Sequence, residues 1–125
     1  MNYRKYKFTK EIESKLKDYK VYLQNQDYGV NTIRHKTNYT GYFLTWLETE
    51  NLQTEEISYN DMLTFIDYCR NAEDSNRLIN RKLSSIRDYF EYLKTKDNNI
   101  INPAANLIIK GETKRLPINT LKLFL

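Results

Sequence analysis

The sequence predicts an all-α domain, a compact bundle of four main helices, and three observations carry that expectation. Strong helix breakers are scarce: the 125 residues hold three Gly and two Pro, and both prolines, Pro103 and Pro117, lie beyond residue 100. Apolar residues recur at three- and four-residue spacing in four separate segments, which is the period of one helix face. A 40% hydrophobic and 14% aromatic composition supplies enough apolar surface for one packed core.

The first helix is expected from about Thr9 to Asp27, with Ile12, Leu16, Tyr19 and Leu23 on its core face and Tyr28-Gly29 ending it. The second starts near Asn31-Thr32, either of which can cap, carries Tyr39, Phe43, Trp46 and Leu47 inward, and ends around Glu50-Asn51. The third opens at Ser58-Tyr59-Asn60-Asp61, where the Ser58 hydroxyl can cap the first turn and Asp61 sits at the positive end of the helix dipole. Its apolar face is Met62, Phe65 and Ile66. The fourth is the longest and clearest, from about Ser75 to Lys96, with Ile79, Leu83, Ile86, Phe90 and Leu93 along one side. Beyond it, Asp97-Asn98-Asn99 reads as a turn, Asn102-Pro103-Ala104-Ala105 as the start of a short helical turn, and residues 110 to 117 as a linker. The apolar tail from Leu116 to Leu125 reads as a new element that stops before it can bury itself, so the chain is expected to be truncated.

Charge is segregated along the chain. Residues 1–20 hold seven Lys/Arg against three acids, residues 21–73 three against eight, and residues 74–125 ten against five. A net charge of +4 and a pI near 9.1 fit a polyanionic partner, with two basic segments turned to phosphates and the acidic middle turned away. A merely solvated surface is the competing reading. One cysteine, Cys69, excludes an internal disulfide, and one histidine, His35, leaves no Cys/His cluster with metal-ligand spacing. No apolar run approaches the roughly 20 residues that span a bilayer, and Met1 to Lys7 lacks the apolar stretch of a signal peptide. The expected location is the cytoplasm, with no membrane, no cofactor and no small-molecule substrate.

On the fourth helix Arg77, Arg81 and Ser84 lie opposite the core stripe, with Asn80 and Arg87 on the flank. Arg can bond guanine bidentately, Asn can bond adenine, and Ser or Lys can hold phosphates, so such a face suits a major groove. Asp88 and Glu91 on the same side favour the solvated-face reading towards the C-terminal end. The second helix offers Arg34, Thr37, Asn38, Gly41 and Thr45 as a flat polar surface open to a phosphate backbone. His35 has no paired Asp, Ser or Cys motif and is given no catalytic role. The eleven tyrosines occur at helical spacing and read as packing, and Cys69 reads as a small helix residue.

Three stretches resemble the SAM-like core-binding domain of phage integrases and Xer-type tyrosine recombinases. They are Thr32-Ile33 with Phe43 and Trp46-Leu47, Ile57-Ser58 through Asp61-Met62 to Phe65-Ile66, and the run from Asn80 to Leu93. Asn102-Pro103-Ala104, followed by Lys114-Arg115 and Leu116-Pro117, resembles that family's interdomain junction. The resemblance implies that residues 1–109 are a DNA-binding domain and that 110–125 are a linker and the start of a truncated catalytic domain. It implies double-stranded DNA, an inverted-repeat core site, as partner, gripped through helices 2 and 4, together with other recombinase protomers. By the same implication the DNA contacts are Thr32, Arg34, Arg77, Asn80, Arg81, Ser84, Ser85 and Arg87, with Lys114 and Arg115 at the junction. The family's catalytic residues belong to the following domain, so this chain is expected to cut no DNA although its full-length parent is expected to be a tyrosine recombinase. A helical protein-interaction module that binds no DNA is the alternative.

Overall fold

The computed structural model describes residues 8–110, and among them the regular structure is entirely helical. Four α-helices follow one another: α1 (Lys10–Asn25), α2 (Val30–Thr49), α3 (Tyr59–Asn71) and α4 (Asn76–Lys94), with a single 3-10 turn at Thr54–Glu56 between α2 and α3. No helix among the described residues is long and apolar enough to cross a membrane.

Three helix starts are fixed by hydroxyl caps. Thr9 accepts from the Ile12 N–H at 3.2 Å, and Ser75 accepts from Leu78 N–H at 3.1 Å. Ser58 and Asp61 form a reciprocal capping box, with bonds of 3.1 and 3.0 Å. The start of α2 departs from expectation. Gly29 is its N-cap without a side-chain bond, and Asn31 and Thr32 lie inside the first turn. The Ile33 N–H already bonds to the Gly29 carbonyl at 3.0 Å, so the helix has begun before either polar residue can cap it.

The ends of α1, α2 and α3 use a common device. Asp27, Asn51 and Glu73, each just past a C-cap, take left-handed φ values of 65°, 61° and 66°. After α2 and α3 this reversal is closed by long-reach bonds, Leu52 N–H to Leu47 O at 2.9 Å and Asp74 N–H to Cys69 O at 3.0 Å. Non-glycine residues carry these reversals, so α1 ends at Asn25, two residues before the expected limit.

The core is a single cluster drawn from all four helices. Ile12, Leu16, Tyr19 and Leu23 of α1 meet Phe43, Trp46 and Leu47 of α2, Met62, Phe65 and Ile66 of α3, and Ile79, Leu83, Ile86 and Phe90 of α4. Its centre is aromatic: Phe43 and Phe65 meet edge to face at 5.1 Å between centroids, and Trp46 lies 5.2 Å from Phe65. Tyr39 and Leu93, expected inside, are only half-buried.

After α4 the chain turns back and runs along it. Ile100, Ala104 and Leu107 are buried, and the expected short helical turn is present as two successive hydrogen-bonded turns, Ala105 N–H to Asn102 O and Leu107 N–H to Ala104 O. Arg87 donates to the carbonyls of Ala104 and Leu107, tying these turns to α4. Lys82 of α4 is buried: its Nζ donates to Asp74 at 2.6 Å and stands 3.8 Å above the Tyr42 ring. This ion pair joins the α3–α4 turn to α4. With the Lys82 and Asp74 side chains only 8% and 12% exposed, removal of one partner leaves a charge stranded. Asp74→Ala is expected to lower the unfolding free energy by about 3–5 kcal/mol in denaturant titration. Adding Lys82→Met should recover most of that loss, and a double variant no more stable than the single one would contradict the assignment.

Candidate nucleic-acid interface

The N-terminal half of α2 lies beside the middle of α4, and between them runs an open groove of about 350 Å³. Its lining is Thr32, His35, Lys36 and Tyr39 from α2 and Arg81, Ser84 and Ser85 from α4. The four α2 residues recur at three- and four-residue steps and so share one face of the helix. The lining contains two basic side chains, hydroxyls and no carboxylate. Asp88, one turn beyond Ser84, forms an ion pair with Lys36 and takes up that lysine's charge. Among the described residues Arg77 and Arg81 are exposed and are not paired with any acid, which leaves their guanidinium groups to an outside anion.

The sequence-expected contacts separate into three groups. Thr32, Arg34, Arg77 and Arg81 are exposed, Ser84 is half-buried, and Ser85 is buried in the groove wall. The Arg34 guanidinium bonds the neighbouring Asn31 side chain at 2.7 Å and remains on the surface. Asn80 and Arg87, expected on DNA, are engaged by the chain itself. The Asn80 amide donates to the Ile109 carbonyl and accepts from the Ile109 N–H, both at 2.7 Å. Arg87 donates from Nε to Ala104 O at 3.0 Å and from Nη2 to Leu107 O at 2.8 Å. Asn102 completes the strap, donating to Arg87 O at 3.0 Å and to Glu91 at 2.8 Å while accepting from Ala104 N–H at 3.0 Å. Lys114 and Arg115, and the expected linker beyond Lys110, lie outside the described residues.

Elsewhere on α2 the surface expected to be open is partly closed. Gly41 is buried, because the ring of Phe8 sits where a side chain would project: a Cβ there would lie 2.5 Å from the ring. The hydroxyls of Thr37 and Thr45 bond back to the carbonyls of Ile33 and Gly41 at 2.9 Å. Sequence reasoning passed over His35, Lys36 and Tyr39. The His35 and Tyr39 rings stack along the groove wall, 6.2 Å apart and 19° from parallel. The signal was available in their spacing from Thr32.

The cysteine and the most perturbed tyrosines lie outside the lining of this groove, Cys69, Tyr19 and Tyr89 buried and Tyr42 half-buried. Burial pushes the Cys69 thiol up to about 12, so it is neutral at any physiological pH. Desolvation likewise raises the hydroxyls of Tyr19, Tyr42 and Tyr89 well above the ordinary tyrosine range. These groups pack. Among the described residues no group of three or more His, Cys, Asp or Glu is placed to hold a metal ion.

Residues 16–97 match the model of the phage integrase N-terminal SAM-like domain, and the chain belongs to that family. Among curated proteins it is similar to tyrosine recombinase XerC of Staphylococcus epidermidis, 33% identical over 75 residues, a match that covers 60% of this chain and 25% of the relative. Tyrosine recombinase XerC of Staphylococcus aureus is 29% identical over 103 residues, covering 74% of this chain and 35% of the relative. The chain therefore spans between a quarter and about a third of the length of these relatives. No solved structure matches it.

The strap makes Arg87 a structural residue in this arrangement, and that has a measurable consequence. Arg87→Ala removes the donor of the Leu107 carbonyl and leaves Ala104 O with only the Leu107 N–H, and should cost about 1–3 kcal/mol of stability. The salt dependence of duplex binding should stay unchanged, because no phosphate contact is lost; a slope that falls by about one would place Arg87 on the DNA instead.

Proposed function

We propose that this chain is the DNA-gripping domain of a tyrosine recombinase, holding one side of an inverted-repeat core site with the first half of α2 and the outer face of α4. The observation that carries the reading is the basic groove between the two helices, in which Arg81 and, beside it, Arg77 stay exposed and free of acidic partners among the described residues. Family membership and the similarity to tyrosine recombinases support it. The contact set consists of Thr32, Arg34, Arg77, Arg81 and Ser84, joined by His35 and Tyr39, with Ser85 behind them. Arg77 and Arg81 sit one turn apart, suited either to two successive phosphates or to a phosphate and a guanine edge. Thr32 and Ser84 have hydroxyls that reach backbone oxygens, and the His35–Tyr39 stack gives a flat wall against sugar or base edges. Lys114 and Arg115, which lie outside the described residues, belong to the same proposed contact set. Strand cleavage and partnership with other protomers belong to the full-length parent, in the cytoplasm.

A cleft of about 550 Å³ between the start of α3 and residues 99–106 favours a protein contact there as a second role. Its lining combines Glu55 and Glu56 with the exposed apolar side chains of Tyr59 and Ile101. Such a mixture repels phosphate and suits a protomer surface.

Replacing Arg77 and Arg81 together by Ala should reduce the slope of log affinity against log salt by about 2 and leave the helical circular dichroism unchanged. Duplex binding that keeps its slope, or wild-type protein that binds no duplex at low salt, contradicts the proposal.

A further inference from the structure

The cations at the groove fall into two classes. Arg77 and Arg81 are exposed and have no acidic partner among the described residues, whereas Lys36, which lines the groove from α2, is already engaged. Its Nζ donates to the Asp88 carboxylate and stands 5.0 Å from the centre of the Tyr28 ring. The two members of the ion pair are unequally placed: the Lys36 side chain is 13% exposed and that of Asp88 is 35% exposed. The ammonium is the more deeply set, and the carboxylate is the member that meets solvent. Asp88 also continues the α4 stripe that lines the groove, since steps of three or four residues lead from Arg81 through Ser84 and Ser85 to it. One end of that stripe is cationic and the other is anionic.

We propose that Asp88 is a specificity-determining residue of the duplex contact: it withholds Lys36 from the phosphate backbone and ends the phosphate-accepting stripe of α4 at Ser84. The inference rests on the duplex-binding reading above and gives a role to a residue that acts through another rather than by touching DNA. Its physical ground is competition. A phosphate that recruits Lys36 must displace a carboxylate already in contact with it and draw the ammonium out of a largely covered position. Salt screens a partly buried pair much less than it screens charges on the surface, so the pair persists where surface phosphate contacts weaken. A phosphate that approaches this end of the stripe also faces the more exposed member of the pair, which repels it. A free cation at this place would let the backbone ride further along α4 on any sequence. The carboxylate confines it to the end that carries Arg77, Arg81 and Ser84, and a confined backbone fixes which bases the groove residues can meet.

The test uses the 125-residue chain and a duplex of arbitrary sequence, with affinity followed by fluorescence anisotropy from about 50 to 200 mM salt. Asp88→Asn keeps the side-chain shape and removes the charge. It should steepen the slope of log affinity against log salt by about 1, so that its advantage over wild type grows about threefold from the high-salt to the low-salt end. Combining it with Lys36→Met should restore the wild-type slope, because the effect passes through that lysine. Glu13→Gln removes the same charge at an exposed position of α1 outside the groove lining and should leave the slope unchanged. Lys36→Met alone should also keep the wild-type slope, a result that does not depend on how well the Asp88 variant folds. An unchanged slope in Asp88→Asn overturns the proposal, and an equal rise in Glu13→Gln overturns it in favour of net charge. A double variant as steep as Asp88→Asn, or a slope reduced by about 1 in Lys36→Met, overturns it as well, the latter by placing Lys36 on phosphate already. The groove reading is scored separately: wild type that binds no duplex removes both, whereas loss of slope in the Arg77/Arg81 variant with no change in Asp88→Asn keeps the groove and removes the role of Asp88.

Discussion

The rotation of α4 about its own axis is set by the burial of Ile79, Leu83, Ile86 and Phe90, and this constraint governs what the other two sides of the helix can do. Each such side chain contributes about 1.5–3 kcal/mol on leaving water, whereas a single hydrogen bond contributes about 1 kcal/mol net. A turn of α4 by one residue, 100°, would expose part of that stripe and bury Arg81, so no surface bond could drive it. With the core face fixed, the flank carrying Asn80 and Arg87 receives the returning segment, and the crest carrying Arg77, Arg81 and Ser84 faces out beside α2.

The electrostatics follow from the same arrangement. Two of the basic residues of α4 are absorbed by the protein: Lys82 by Asp74 in the interior and Arg87 by backbone carbonyls. On α2, Lys36 is held by Asp88. On α2 and α4 what remains for an outside polyanion is a small exposed set, and a small set gives register as well as attraction. The acids gathered at Glu55 and Glu56 lie by the separate cleft and not in the groove. The strap extends this order past the helices: by pinning Ile109 to Asn80, it fixes the direction in which the chain reaches Lys110.

The four helices and nearly all of their core faces were legible because the apolar period is regular and the hydroxyl caps at Thr9, Ser58 and Ser75 are strong local signals. Helix ends were less so. Asp27 and Glu73 adopt the left-handed reversal that glycine normally marks, so the reversal carried no sequence sign, and Gly29 proved to be a cap rather than a stop. The site was legible as a face and not as a set of roles. Arg87 and Asn80 look like DNA readers in one dimension, and only the return of residues 100–109 gives them backbone partners. The same holds for Gly41, whose open appearance depended on ignoring Phe8, more than thirty residues earlier. Buried Lys82 escaped notice because its partners, Asp74 and Tyr42, come from two other elements.

The central claim, that the first half of α2 and the outer crest of α4 together face the duplex, is tested most directly by titrating the isotope-labelled chain with a short duplex and following its amide and arginine side-chain resonances. Shifts concentrated at Thr32, Arg34, His35, Arg77, Arg81 and Ser84, with the Glu55–Tyr59 cleft unmoved, are the predicted result. Shifts centred on that cleft, or none along α4 while the duplex is bound, would contradict it.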